Sequence, residues 1–416
     1  MQASYQPRFA DLLLNEMLAA HPAVMITGPR ACGKTTTAAR HAATVIRLDR
    51  EREAEAFQAD PDSALLGLPE PILLDEWQAV PGVLGAVKRA VDDDPRRGRF
   101  IVTGSVRGDI DGATWPGTGR LTRLPMFGVS LRERHGRLAG KGLIDHLVDG
   151  TAPELPPDVP DLRGYVEIAL RSGFPELALG PDNPAARQRW LASYIDHVVT
   201  RDAAQIADRD PVKMRRFIDA YAASSAGVVN DMTLVQAAGI NRRTAVAYES
   251  LLANLLLVDR IPAWTSNRLT RLAKAPKRHL VDPALIAGAL QIDVNGVMRD
   301  GDLLGRVIES FVVAQFRAEH AINPFPQRFS HLRQDGGRRE IDLIIEPGGG
   351  RVIAVEAKAT GAPRAGDARH LKWLRDELGD AFVAGLVMHT GPRAYALGDR
   401  ITALPIAALW GSGAAD

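Results

Sequence analysis

Short apolar runs and longer amphipathic stretches alternate through the first third of the chain. Val24–Thr27, Val45–Leu48, Ile72–Leu74 and Phe100–Thr103 are β-branched or aliphatic runs separated by segments of helix length. This alternation predicts a parallel sheet with covering helices up to about residue 135. From 137 to 162 the periodicity fades among glycine, aspartate and Pro153, Pro156, Pro157 and Pro160, as expected of a connector. Between Tyr165 and Ala223 apolar residues recur three and four apart, for example Trp190, Leu191, Tyr194, Ile195 and Val198, which predicts helices. Strand-like runs return after residue 301, with a glycine turn at Gly348–Gly350. The expected segments are 1–135, 136–225, 226–300 and 301–416, and no repeat of 20 to 50 residues is evident.

Composition narrows the reading. A chain of 416 residues is long enough for two or three domains. With 51 basic and 50 acidic side chains the molecule is no polycation, so any affinity for nucleic acid must come from local clustering. Cys32 is the single cysteine, which excludes an intramolecular disulfide and a cysteine-based zinc site. The longest uncharged run, Ile401–Ala415, contains a proline and is short of the roughly 18 residues a membrane span needs. Early Arg8, Asp11 and Glu16 do not fit a signal peptide. The expectation is a cytoplasmic protein with no membrane partner.

Gly28-Pro29-Arg30-Ala31-Cys32-Gly33-Lys34-Thr35 has the form GxxxxGK[ST], after an apolar run and before the helix-prone Thr36-Thr37-Ala38-Ala39. Such a loop turns backbone N–H groups around a triphosphate, with Lys34 reaching the outer phosphates and the Thr35 hydroxyl reaching magnesium. The nucleotide contacts are therefore expected from residues 28 to 35 and from Thr36. Ile72-Leu73-Leu74 runs into Asp75-Glu76, in which Asp75 would hold the magnesium and Glu76 polarise the attacking water. Thr103 or Ser105, after another apolar run, are candidate γ-phosphate sensors. Arg120 and Arg123 are candidate transition-state arginines, in cis or from a neighbouring subunit, against the plainer reading of a solvated charge.

Thr233 to Leu251 reads as helix, glycine turn at Gly239, and a second helix capped by Asn241. Arg242 and Arg243 would open that second helix, where a major-groove reader places its contacts. The next stretch carries Arg260, Arg268, Arg271, Lys274, Lys277 and Arg278 with no acid between them, a basic strip suited to DNA. Trp264 within it could stack on a base, although core packing is the plainer reading.

Arg339–Glu346 and Arg351–Lys358 read as two strands joined by the glycine turn. Glu356 and Lys358, two apart, share a face, and Asp342 can join them from the partner strand. With Glu309 from an upstream amphipathic helix, these carboxylates would form an oxygen-rich magnesium site and Lys358 would activate water for phosphodiester attack. The competing reading is an ordinary hairpin with a surface ion pair.

GPRACGKTT, ILLDEWQAVPG, IVTGS, SGFPE at 172–176, YIDHVVTRD at 194–202, LVQAAGINRRTAVAYESLL, RREIDLIIE and VEAK occur in this order. The combination resembles a prokaryotic family of AAA-type ATPases whose carboxy-terminal half is a domain of unknown function related to PD-(D/E)XK nucleases. The resemblance implies an α/β fold: an AAA-type P-loop domain, a helical and winged-helix middle region, and a restriction-endonuclease-like carboxy-terminal domain. It implies ATP and magnesium at Gly28–Thr35, Asp75 and Glu76, and a second metal site at Glu309, Asp342, Glu356 and Lys358. The expected activity is ATP hydrolysis coupled to DNA engagement, possible as a homo-oligomer. The alternatives are an ATP-regulated endonuclease and a slow-turnover ATP-binding scaffold.

Overall fold

The computed structural model describes residues 5–105, 119–202, 210–229, 231–265, 274–320 and 327–411. The chain forms two compact units. The first comprises Met1–Val129, Gly173–Glu176 and Leu252–Leu257, and the second Ser130–Ser172, Leu177–Leu251 and Val258–Asp416.

The first unit is built on a five-stranded parallel sheet. Its strands are β1 (Ala23–Thr27), β2 (Thr44–Arg47), β3 (Ile72–Asp75), β4 (Phe100–Gly104) and β5 (Leu121–Pro125), in the order β2-β3-β4-β1-β5. The four strands expected from the apolar runs are present, each extended or shifted by one residue. β5 went unread because only Leu121 and Leu124 face inward, while Thr122, Arg123 and Pro125 keep polar or open positions on the sheet edge. Leu14, Val24, Ile26, Leu73, Ile101 and Leu124 fill the core between the sheet and its helices. Because every strand is parallel, all their carboxyl ends converge on one edge, where an open α/β sheet places its ligand.

The second unit begins with helices. Leu162–Arg171, Pro184–His197, Pro211–Ala223 and Ala284–Leu290 bury Tyr165, Leu191, Ile195, Phe217 and Leu285. The proline-rich stretch holds one short helix, Leu143–Val148. Helices Asp231–Ala238 and Arg242–Asn254 follow, joined through Gly239 with φ of 64°, and Asn241 caps the second by accepting the Thr244 N–H at 2.8 Å. An antiparallel pair, β6 (Val258–Ile261) and β7 (Lys277–Leu280), comes next. The helix Gly301–His320 then leads into a mixed six-stranded sheet. Its strands are β8 (Arg328–Gln334), β9 (Arg339–Gly348), β10 (Arg351–Lys358), β11 (Phe382–His389), β12 (Tyr395–Gly398) and β13 (Ile401–Pro405), in the order β12-β13-β11-β10-β9-β8. β9 and β10 are the hairpin expected across the glycine turn; β10, β11 and β13 run parallel. Trp264 is buried in the core of this sheet beside Leu332 and Ile341, which answers its ambiguity in favour of packing. Among the described residues, no helix is long and apolar enough to cross a membrane.

Candidate functional site

In the first unit, β1 ends at Thr27 and the chain enters the loop Gly28–Gly33. Ala31 and Gly33 have φ of 63° and 101°, the left-handed turns that rotate successive N–H groups toward one point. Gly28 is required for close approach: a Cβ there would overlap the Met126 carbonyl oxygen. Lys34 is 5 % exposed and its ammonium donates to the Gly28 and Pro29 carbonyls, at 3.0 and 2.9 Å. Thr35 sits half-buried at the start of the helix Lys34–Ala39, and Thr36 is exposed beside it. Cys32 is fully buried under the loop, a packing position.

Asp75 lies at the carboxyl end of β3, next but one to β1, with β4 between. Its Oδ1 accepts from the Thr35 hydroxyl at 2.8 Å and from the Thr103 hydroxyl on β4. One carboxylate oxygen thus ties the phosphate loop to two strands. A hydroxyl and a carboxylate converging in this way fit a hard, oxygen-seeking ion such as magnesium. Glu76 follows at φ 55° and ψ 51°, turned out of the strand, with its carboxylate accepting from Gln78 and, at 3.4 Å, from Ser105. Thr103 and Ser105 therefore stand at the acid pair, as bond partners of Asp75 and Glu76.

Arg120 does not reach this edge. Leu121 pairs with Ala23, at the opposite end of β1 from Thr27, which leaves Arg120 about 13 Å or more of strand away from the loop. Its guanidinium bonds Asp92 at 2.7 Å. A role in cis is overturned, because strand direction fixes which end of β5 meets the phosphates.

Arg8 was not identified from the sequence. Although 4 % exposed, it donates to the Cys32 carbonyl at 3.1 Å and to that of Phe127 at 2.9 Å, bracing the loop from behind. Its partners are 24 and 119 residues away, so no local motif marks it.

In the second unit, Glu309, Asp342, Glu356 and Lys358 do come together, but around a lysine. The Lys277 ammonium, on β7, is 2.6 Å from Glu309 Oε1 and 2.9 Å from Asp342 Oδ1, with its side chain 1 % exposed. Asp342 Oδ2 accepts the Ala357 N–H at 2.9 Å, and Lys358 donates to Glu356 at 3.0 Å. Burial, reinforced by Asp342, pushes Glu309 up to about 8. Burial works against charge on Lys277, but Asp342 and Glu309 outweigh it and hold its ammonium protonated. Burial and the Asp342 charge raise Glu356. A cation placed between Glu309 and Asp342 would have to displace that ammonium, so this donor set does not fit magnesium. Among the described residues no group of three or more carboxylate, histidine or cysteine side chains is arranged to hold a metal.

The same observation corrects Lys277 as a DNA contact, since it points into an acidic pocket rather than toward solvent. Arg278 is also inward, donating to Glu249 at 2.8 Å and to Asp231 at 2.5 Å, which locks both helices of the helix-turn-helix to β7. Arg242, Arg243 and Lys274 are exposed. Arg268 and Arg271 lie outside the described residues.

Residues 20–135 match a family described as an AAA domain, 162–295 a domain of unknown function (DUF8612), and 304–409 another (DUF4143). The uncharacterized proteins Mb2031c of Mycobacterium bovis and Rv2008c of Mycobacterium tuberculosis are each 28 % identical over 415 residues, covering 98 % of this chain and 86 % of theirs. The Walker-type ATPase PABY2304 of Pyrococcus abyssi, a solved structure, aligns over 68 % of this chain and 95 % of its own at 14 % identity, with a TM-score of 0.42. The AAA-domain match, falling on the sheet, loop and acid pair described above, supports placing the first unit in a P-loop ATPase family.

Proposed function

We propose that the chain binds ATP at Gly28–Thr36, hydrolyses it, and uses its nucleotide state to control engagement of DNA by the winged helix-turn-helix of the second unit. The observation that carries the hydrolytic part is the three-way junction at Asp75 Oδ1, where Thr35 and Thr103 converge. Lys34 exchanges its two loop carbonyls for phosphate oxygens, and the N–H groups of residues 29 to 35 surround the same charge. Thr35 and Asp75 would hold magnesium, which would neutralise charge on the phosphates. Thr103 keeps Asp75 aimed across β4, and Glu76 orients the attacking water. An arginine supplied by a second copy of the chain would complete the site, which makes a homo-oligomer part of the proposal.

Support for the DNA arm is the exposed pair Arg242 and Arg243 at the start of a capped helix, followed by the β6–β7 hairpin in the position of a wing. The endonuclease reading is disfavoured by the Lys277 ammonium between Glu309 and Asp342.

Steady-state ATPase and nucleotide-binding measurements test the first part. Lys34→Ala should weaken ATP at least tenfold, because a buried phosphate charge loses a charge-assisted partner. Glu76→Gln should retain ATP and slow turnover by about a hundredfold or more. Equal turnover of the Glu76→Gln variant and the parent would remove Glu76 from the mechanism, and stoichiometric ATP with negligible turnover in the parent would favour the scaffold reading.

A further inference from the structure

The second unit contains a cleft of about 870 Å³ that the ATP-dependent reading does not use. Its walls include Leu131, Pro156, Ile168 and Trp410, and it is bordered by the arginines Arg134, Arg171 and Arg187. This volume lies in the range of sites that take small organic molecules, about 300–1,000 Å³.

The arginines are undersupplied with anions. Arg187 bonds Asp182 at 2.9 Å, and Arg171 reaches the other oxygen of the same carboxylate only at 3.8 Å. Arg171 also donates to the Gly180 carbonyl at 3.1 Å, while its Nε is buried with no hydrogen-bond partner among the described residues. The side chain of half-buried Arg134 makes no hydrogen bond or ion pair among the described residues. Arg171 and Arg187 thus share one carboxylate, which is 64 % exposed, and Arg134 beside them pairs with none. Burial, together with Arg171 and Arg187, holds Arg134 below the ordinary arginine range. Burial, Arg134 and Arg137 do the same to His135 on the rim. An anion brought here would relieve repulsion and satisfy open donors at once.

Other lining groups limit the anion's form. Asp158, Glu167 and Asp293 also border the cleft, and Arg163, bonded to Glu167 and Asn295, is already engaged. Glu167 lies one turn from Arg171 on the same helix but is engaged by Arg163, and a continuous phosphate backbone would have to pass more of these carboxylates than one compact phosphoryl group does. We propose that this cleft binds a small organic phosphate, its phosphoryl group among Arg134, Arg171 and Arg187 and its apolar or aromatic body against the remaining wall. Guanidinium groups suit this role because their planar donors match phosphate oxygens in pairs.

Phenyl phosphate, inorganic phosphate and a short DNA duplex serve as probes, titrated calorimetrically into the full chain carrying Lys34→Ala so that the phosphate loop is weakened. The expected result is saturable, one-to-one binding of phenyl phosphate, at least tenfold tighter than inorganic phosphate. Adding Arg134→Gln should weaken it tenfold or more, with Arg134→Lys intermediate and the thermal midpoint retained. Arg187→Gln provides a second route to the same loss. The proposal is overturned if phenyl phosphate shows no saturable binding, if Arg134→Gln and Arg187→Gln leave it unchanged, or if inorganic phosphate binds as tightly. Duplex binding abolished by the same arginine changes would also overturn it, in favour of a nucleic-acid surface. Because the Lys34→Ala background is used throughout, failure here leaves the ATP reading untouched.

Discussion

Replacing Lys277 by methionine keeps most of the buried stem while deleting the ammonium that two carboxylates share. Contacts of 2.6 and 2.9 Å are lost in a place where the lysine side chain is 1 % exposed and those of Glu309 and Asp342 are 13 % and 15 % exposed. Removing one partner of a buried pair characteristically costs about 3–5 kcal/mol, because the other charge is left without compensation. At roughly 2 °C or more per kcal/mol, the second unit's melting midpoint should fall by roughly 6–10 °C. Differential scanning calorimetry of the full chain, with saturating nucleotide to hold the first unit's transition apart, measures this shift. The triple variant Lys277→Met, Glu309→Gln, Asp342→Asn should recover most of the loss, since no unpaired charge then remains. A drop of less than about 2 °C in Lys277→Met, or a triple variant no better than the single one, would refute the assignment of Lys277 as the internal cation of this cluster.

Three further outcomes follow from the geometry. Gly28→Ala should destabilise the first unit by about 1–3 kcal/mol in denaturant titrations and weaken ATP, because its Cβ would overlap the immovable Met126 carbonyl; unaltered stability and affinity would contradict the close approach. Arg242→Ala and Arg243→Ala should each lower the salt slope of duplex DNA binding, measured by anisotropy, by about one; unchanged slopes would exclude that helix start as a phosphate contact. Glu309, held up to about 8 by burial, binds a proton in the folded chain that the unfolded chain has released, so its contribution is lost as pH rises from about 4.5 through 8. Glu309→Gln should therefore flatten the fall in the second unit's midpoint between pH 6 and 9, and parallel curves for variant and parent would sink the argument.

What the sequence made legible was local. A phosphate loop advertises itself because its strand, glycines, lysine and helix are contiguous, and Asp75-Glu76 does so because apolar residues lead directly into it. The β9–β10 hairpin was equally readable, since Gly348–Gly350 separates two runs whose alternation puts Asp342, Glu356 and Lys358 together. Arg8 bracing the loop was not, because its partners are remote in the chain and its neighbours carry no pattern. Charge counting misled at β7 for a related reason. Lys277 and Arg278 belong to a run without acids, but the helix Gly301–His320 brings Glu309 to them, β9 brings Asp342, and the two helices of the helix-turn-helix bring Glu249 and Asp231. Neutralisation came from the third dimension, which a one-dimensional charge run does not contain.

The two acidic clusters show why similar residue types need not carry similar chemistry. Asp75 is bonded to hydroxyls, which are themselves oxygen ligands, so Thr35 and Asp75 would hold a divalent ion at the loss of one hydrogen bond, with both oxygens kept as ligands. Asp342 is bonded to an ammonium, which has no lone pair to offer a metal and competes with it for those of the carboxylate. Admitting a divalent ion there means expelling a buried positive charge, and Lys277 is anchored on β7, whose neighbour Arg278 is itself pinned by Glu249 and Asp231. Because Glu249 and Asp231 hold the neighbouring Arg278 in place, expulsion falls to the Lys277 side chain itself, which would have to withdraw its ammonium from both carboxylates. Metal-dependent chemistry at Glu309, Asp342 and Glu356 would accordingly depend on moving the Lys277 ammonium out of the cluster.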